Sequence, residues 1–252
     1  MGRAYAAEEE DLRSLAAHIR GVFTLSGAGR ILSENAPDHP LPPRLFIGGC
    51  AGGNLVRVRG DVSEAISRAV QDRVAAEPPW TDPSAPPAWL EDVIALASRD
   101  RPAEVETPAL IYRLPNGLAF DAGATIVGWD TAEGRELTAR LAAEGLPAHL
   151  TEAGFLGLDD FWEPWCAATE GGTIAAMAFA ARAGGRVAEV GVYTFPGFRG
   201  RGLAAAVTAS WSSLPGLASH TLFYSAHGTN ISSQAVARRL GLGRFAVSIR
   251  IG

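Results

Sequence analysis

The sequence contains no lysine: all 22 of its basic residues are arginine, and 27 acidic residues give it a formal net charge of −5. That balance argues against a protein that binds nucleic acid through its phosphates. Only two cysteines occur, Cys50 and Cys166, far apart in the chain. Neither a disulfide framework nor a four-ligand zinc site is therefore predicted. The histidines at positions 18, 39, 149 and 220 show no metal-ligand spacing, so we expect no metal.

Long apolar segments are missing as well. The N-terminus runs into Glu8-Glu9-Glu10-Asp11 without the apolar stretch of an export signal. Residues 202–237 carry no formal charge, but Pro215 and Gly216 interrupt them, which a membrane-spanning helix tolerates poorly. We expect a cytoplasmic protein without a membrane partner. Hydrophobic residues make up 47% of the 252 residues, enough for a large core in one or two domains.

Apolar periodicity and turn residues predict helices and strands in mixed order. Asp61 and Glu64 form a capping-box pair at the start of one helix. The glycine-rich segment 48–53 lacks the lysine of a phosphate loop and precedes a strand, so we interpret it as a hairpin turn. Helices are predicted at residues 61–77, 89–96, 131–144, 202–213 and 231–240. Strands are predicted at residues 44–47, 54–59, 110–112, 124–127, 161–169, 173–182, 187–195, 221–225 and 245–251.

The turn at Pro115-Asn116-Gly117 suggests a boundary between two parts of the chain. We predict an N-terminal α/β domain at residues 1–121 and a second domain at residues 122–252. In the second domain, three strands joined by glycine turns form an antiparallel meander, and helices follow it. This order is typical of an α+β domain, a sheet with flanking helices.

The segment from Val190 to Ala204 predicts a strand, a sharp turn and a helix start in direct succession. Gly200 and Gly202 lack Cβ atoms, so a ligand can approach the main chain closely there. The free amides and the positive end of the following helix favour an anion. Arg199 and Arg201 add positive charge. A pyrophosphate is the expected ligand, although the same string also occurs in ordinary turns.

A second segment, from Asn230 to Leu242, opens with a residue that caps helices and closes with a glycine after the helix. Together the two segments resemble the GNAT acetyltransferase superfamily. Residues 199–204 correspond to its R-G-x-G-x-G/A loop, and the second segment to its N-x-x-S…L-G-F/L helix. The resemblance covers about residues 122–252. The whole chain is also similar to the bacterial two-part group that includes zwittermicin-resistance acetyltransferases, with residues 1–121 as a degenerate half.

The resemblance implies a mixed, mostly antiparallel sheet that splays apart between its fourth and fifth strands. It also implies acetyl-CoA as co-substrate. In that fold the strand edge at Val192, Tyr193 and Thr194 pairs with the amide-bearing pantetheine arm. The pyrophosphate lies on the loop and helix start, and the second helix lies beside it. The implied binding residues are Val192, Tyr193, Thr194, Arg199, Gly200, Arg201, Gly202, Leu203, Ala204, Asn230 and Ser233.

The implied reaction is attack of an amine on the thioester, which needs a base, an oxyanion site and an acid. Glu189 is the candidate base, because desolvation in an apolar strand would raise its pKa; a solvent-facing glutamate is the alternative. Backbone amides near Val192 and Tyr193 would hold the oxyanion. The family's usual acid, a tyrosine, is replaced by Ala237. Tyr224 is the substitute candidate, with a core tyrosine as the alternative.

The aromatic residues Phe161, Trp162 and Trp165 either line an amine pocket or pack in the core. We expect Cys166 to be a small buried residue and not a nucleophile. The predicted function is acetylation of a primary amine on a small molecule, and the acidic balance suits a cationic acceptor. Alternatives are a non-catalytic acyl-CoA-binding regulatory module and a protein or peptide N-acetyltransferase. A homodimer is expected.

Overall fold

The computed structural model describes residues 2–252, with side-chain environments from residue 5 onward. Within that range the chain forms seven α-helices and eleven β-strands. The helices are α1 (Gly2–Val22), α2 (Glu64–Ala75), α3 (Leu90–Ala97), α4 (Ala132–Glu144), α5 (Ala148–Thr151), α6 (Leu203–Ser212) and α7 (Ile231–Arg239). The strands are β1 (Phe23–Leu25), β2 (Ile31–Glu34), β3 (Leu45–Cys50), β4 (Gly53–Val58), β5 (Ala109–Leu114), β6 (Thr125–Gly128), β7 (Cys166–Glu170), β8 (Thr173–Gly184), β9 (Val187–Thr194), β10 (Thr221–His227) and β11 (Arg244–Ile251).

Nine of these strands form one sheet in the order β4-β3-β11-β5-β10-β9-β8-β7-β6, and β1 pairs with β2 in a small separate hairpin. Neighbouring strands in the large sheet are antiparallel except for β9 and β10, which are parallel. Helices lie on both faces of this sheet. The predicted α+β architecture, with a mixed and mostly antiparallel sheet, is therefore confirmed.

The sheet splays apart between β9 and β10. The two strands pair from Val187 with Thr221 to Val190 with Tyr224, and their pairing ends there. Beyond that point β9 stays paired with β8 as far as Thr194, and β10 stays paired with β5 as far as His227. Each strand follows its other neighbour, so a wedge opens between them, as predicted.

Helix α1 covers one face of the sheet. Leu15, Ile19 and Val22 recur at helical spacing and are at most 3% exposed. They belong to one cluster with Ile111 of β5 and Phe223 of β10. Fully burying an apolar side chain of this size contributes about 1.5–3 kcal/mol. No helix is predicted here from the sequence, because its acidic first half masks the apolar stripe of the second.

The other face carries α2, α3, α6 and α7. Val70, Val93 and Trp211 bury the apolar sides of the first three of these helices in a single cluster. That cluster also holds Val190 and Tyr224, the last paired residues before the wedge. The start of the wedge is thus anchored in the core while its two strands diverge.

The predicted boundary at residue 121 lies in the connection between β5 and β6. Strand β5 precedes that boundary, yet it lies between β10 and β11, which follow it. The hairpin of β3 and β4 extends the same sheet from the outer side of β11. Both predicted domains therefore contribute strands to one sheet.

Two local predictions are corrected by the structure. Ser63, and not Asp61, caps α2: its hydroxyl accepts a hydrogen bond from the amide of Ile66 at 3.3 Å. Asp61 instead accepts from the guanidinium of Arg59 at 2.7 Å. Strand β7 begins at Cys166, five residues later than predicted. A 3₁₀ turn occupies residues 158–160, and Pro164 has no N–H for a ladder.

Candidate active site

The connection from β9 to α6 has the backbone that its glycines predict. Gly197, Gly200 and Gly202 have φ angles of 88°, 78° and 84°, in the left-handed region that other L-residues avoid. Gly202 is the N-cap of α6 and offers no side chain to the amides of the first turn. The helix therefore presents its amides, and the positive end of its dipole, to whatever lies in front of the loop.

The start of α7 is built differently. The side chain of Asn230 caps this helix and accepts a hydrogen bond from the amide of Ser233 at 3.0 Å. Gln234 adds a hydrogen bond from its amide nitrogen to the carbonyl oxygen of Gly228 at 2.7 Å. Asn230 thus fixes the direction of α7 at the mouth of the wedge.

These two helix starts and the diverging strand β9 enclose a cleft of about 420 Å³, a volume typical of ligand sites. The structure brings ten of the eleven predicted binding residues to its wall. They are Val192, Tyr193, Thr194, Arg199, Gly200, Gly202, Leu203, Ala204, Asn230 and Ser233. Tyr224, the candidate acid, lines the same cleft. Predicted binding residues up to 41 positions apart in sequence (Val192 and Ser233) therefore share one wall.

Arg201 is the exception among the predicted binding residues. Its guanidinium forms an ion pair with Glu170 at the end of β7, at 2.6 Å. The side chain is not part of the cleft wall. Arg199 therefore lines the cleft, whereas Arg201 does not.

Arg239 supplies a cation that the sequence reasoning missed. It lines the cleft from α7, and its Nη1 would lie 3.2 Å from a Cβ built on Gly202. Helical periodicity could have identified Arg239 from the sequence. Ser232, Val236 and Arg239 are spaced so that they lie on one face of α7, and all three line the cleft.

Tyr224 is 3% exposed, and its hydroxyl donates a hydrogen bond to the carbonyl oxygen of Ser233 at 3.1 Å. Burial raises the pKa of this hydroxyl. It therefore stays protonated at neutral pH, but its proton is engaged by α7. Ala237, which the resemblance to the GNAT superfamily aligns with that superfamily's usual acid, is fully buried.

Glu189 does not lie in the cleft. Side chains alternate along a strand, so Glu189 projects from the face opposite Val190 and Tyr224. Its carboxylate lies 2.6 Å from Nε2 of His18 and 2.7 Å from Nη1 of Arg182. Burial alone would raise the pKa of Glu189, but His18, Arg182 and the Ser225 hydroxyl lower it to about 2. The rise in the pKa of Glu189 that the sequence predicts is therefore wrong. Its partners, which the sequence does not reveal, lower the pKa by more than burial raises it.

The contacts of Glu189 belong to a chain of ion pairs. Arg182 also pairs with Glu34, at 3.3 Å, and Arg250 pairs with the other oxygen of Glu34. A small polar cavity of about 60 Å³ lies beside these groups. His18, Glu189, Ser225, His227, Ser248 and Arg250 are among the residues that line it.

Phe161 and Trp165 are 4% and 3% exposed and belong to the core under α4 and α5. Both also border a surface groove that contains Glu163. Trp162 packs edge-on against Phe179, with 5.4 Å between ring centroids. Phe161 and Trp165 therefore pack in the core and border the groove at the same time.

Cys166 is 1% exposed, and burial raises the pKa of its thiol to about 12. Its Sγ donates to the carbonyl oxygen of Val207 at 3.2 Å. This agrees with a small buried residue that packs under α6.

Among the side chains described from residue 5 onward, no three His, Cys, Asp or Glu side chains come together in a metal-binding group. None of the helices within residues 2–252 is both long and apolar enough to cross a membrane.

No protein-family profile matches the chain, and no curated protein matches it. Solved structures do resemble it. A tandem GNAT protein from the clavulanic acid biosynthesis pathway is 14% identical over 84% of both chains, with a TM-score of 0.45. A GNAT-family acetyltransferase from Colwellia psychrerythraea is 15% identical over 96% of both chains, with a TM-score of 0.43. A GCN5-related N-acetyltransferase from Kribbella flavida is 19% identical over 66% of this chain and 63% of that one, with a TM-score of 0.43. These values describe a partial overlap of architecture.

Proposed function

We propose that this protein is an acetyl-CoA-dependent N-acetyltransferase that moves an acetyl group to a primary amine of a small molecule. The observation that carries the proposal is the cleft between β9 and α7. It combines an unpaired strand edge with a glycine loop at a helix start. An extended, amide-bearing molecule that ends in a diphosphate matches both features.

The wall of the cleft suits each part of acetyl-CoA. The start of α6, with Arg199 and Arg239, favours a diphosphate. The edge of β9 at Val192–Thr194 faces the wedge after its pairing with β10 has ended, so its main-chain groups are available to the amides of a pantetheine arm. Because acetyl-CoA is consumed in the reaction, it is a second substrate and not a resident group.

Acetyl-CoA supplies a thioester carbonyl that an amine can attack. Backbone amides near Val192 and Tyr193 would hold the oxyanion, and Tyr224 would reprotonate the sulfur once its hydroxyl turns from Ser233. Glu189 stays ionised at neutral pH. A carboxylate with so low a pKa is, however, a weak proton acceptor by itself.

A non-catalytic acyl-CoA-binding module is the second candidate. Two observations favour it: Ala237 is buried where the family has its acid, and the proton of Tyr224 is already donated to α7. Both candidates share the cleft, so binding of acetyl-CoA alone does not separate them.

The experiment combines calorimetry with acetyl-CoA and a thiol-release assay with propylamine, spermidine and kanamycin. Binding together with amine-dependent release of coenzyme A supports the enzyme. Binding without release for every amine favours the module. Absence of binding contradicts both.

Location and assembly are proposals that rest on the sequence. We expect a cytoplasmic protein that acts on a diffusible, cationic amine, with no nucleic-acid or membrane partner, and that forms a homodimer. Light scattering after gel filtration measures the oligomeric state. The acceleration of turnover at low salt measures electrostatic steering of the amine.

A further inference from the structure

We infer that His18, on α1, is the group that takes the proton from the acceptor amine, and that Glu189 positions its ring. This inference rests on the proposed acetyl transfer and names the base that the transfer needs. The base would then lie on α1, which is far in sequence from the glycine loop at residues 199–204.

The placement of His18 is unusual for a core residue. It lies on the apolar stripe of α1 between Leu15 and Ile19 and is 3% exposed. Its ring packs edge-on against Phe223, with 5.1 Å between centroids. Nε2 is held by Glu189 at 2.6 Å, whereas Nδ1 has no hydrogen-bond partner among the residues the structure describes. A buried polar atom without a partner calls for an explanation, such as a ligand.

His18 lines the small polar cavity beside the ion pairs of Arg182 and Arg250. At about 60 Å³ it has room for a water molecule or an aminomethyl group, but not for a ring. Glu106 and His227 lie on its exposed side. The acceptor would therefore insert a narrow amino end and leave its bulk outside, which points to an unhindered primary amine.

The cavity lies next to the wedge. Glu189 and Ser225 line it, and they directly flank Val190 and Tyr224, the last residues that pair before the strands diverge. Tyr224 lines the large cleft on the other face. An amine in the cavity and an acyl group at the inner end of the cleft would thus approach the same point of the sheet from opposite faces.

The ionised Glu189 accepts a hydrogen from Nε2, which leaves the lone pair of a neutral imidazole on Nδ1. The charged and titratable groups around His18 include three carboxylates and two guanidinium groups. They are Glu34 on β2, Glu106 before β5, Arg182 on β8, Glu189 on β9, His227 on β10 and Arg250 on β11.

The proton balance is simple. The neutral amine forms a C–N bond to the carbonyl carbon and gives one N–H proton to Nδ1 of His18. The C–S bond breaks with its electron pair on sulfur. The thiolate takes up one proton, and the imidazolium gives one up, so the products are an amide and a free thiol.

His18→Gln tests the inference, because glutamine keeps an N–H donor near the position of Nε2 and lacks Nδ1. We expect kcat/KM for the best amine of the panel to fall about 10²- to 10⁴-fold, with the Kd of acetyl-CoA within twofold of the wild type. Glu189→Gln should lower kcat with little change in KM. His39→Gln, on the exposed surface, is the matched control and should keep full activity.

Circular dichroism checks that the variants fold. If His18→Gln does not fold, ¹⁵N NMR of the wild-type imidazole tests the inference instead. The neutral ring of His18 should carry its proton on Nε2. A proton on Nδ1 overturns the inference, and so does a folded His18→Gln protein with unchanged kcat/KM and pH profile. In that second case the wild type still acetylates amines and the proposed function stands. A wild type that binds acetyl-CoA and acetylates no amine overturns both.

Discussion

Substitution of Gly200 by alanine separates the two tasks of the glycine loop, turning the chain and admitting a ligand. Gly200 has a φ of 78°, and a Cβ built on it would meet no atom within 4 Å. A non-glycine residue in that left-handed conformation costs about 1–2 kcal/mol. We therefore expect Gly200→Ala to lower the melting temperature by about 2–4 °C per kcal/mol.

Gly185→Ala is the matched control. Gly185 lies in the turn between β8 and β9 with a φ of 59°, and a Cβ there would also meet no atom within 4 Å. It is not part of the cleft wall. Both variants should therefore lose similar stability, while only one of them adds a methyl group to the cleft.

The two variants should differ in binding. A methyl group on Gly200 keeps an anion away from the loop amides, and each hydrogen bond to a charged group contributes about 1.5–3 kcal/mol. That loss raises the Kd of acetyl-CoA about 10- to 100-fold in the Gly200→Ala protein, and leaves it unchanged in the Gly185→Ala protein. Calorimetry measures both. Equal affinity in the two folded variants would refute the assignment of the loop as the diphosphate site.

Arg239→Ala should weaken acetyl-CoA binding about tenfold. Arg201→Ala should have little effect, because Arg201 pairs with Glu170 and is not part of the cleft wall. A larger loss of affinity in Arg201→Ala than in Arg239→Ala, measured by calorimetry, would contradict this assignment of the cleft wall. The pKa of Glu189 falls from 4.5 to about 2 on folding, so its ionisation stabilises the native state by about 3 kcal/mol above pH 4.5. This stabilisation is lost as the pH falls towards 2. Urea unfolding between pH 6 and 2 should show that loss in the wild type, and the same slope in Glu189→Gln would disprove it. Cys166, with a pKa of about 12, should hold roughly 1,000-fold less thiolate at neutral pH than an ordinary cysteine. Rapid labelling of Cys166 by a disulfide reagent in the native protein would contradict its burial.

Periodicity and turn chemistry determined most of the C-terminal fold. The glycines at 200 and 202, the cap at Asn230 and the alternating strands are local signals, because each depends on a residue's own backbone preference or on its nearest neighbours along the chain. The loop and the second helix could therefore be predicted from their own residues, whereas their shared cleft was implied by the resemblance to the GNAT acetyltransferase superfamily. Strand β7 was placed too early for the same kind of reason, since an aromatic run resembles a strand until a proline interrupts its ladder.

Only the tertiary structure decided what surrounds Glu189 and where residues 1–121 belong. Strand β5 fits between β10 and β11, and α1 brings His18 onto Glu189, 171 positions away in sequence. Pairing of distant strands and ions depends on packing across the whole sheet, and no local pattern specifies it. For that reason the pKa of Glu189 is lowered, although the sequence predicts that it is raised. The sequence shows an acid in an apolar strand, and the fold supplies the neighbouring groups that keep it ionised.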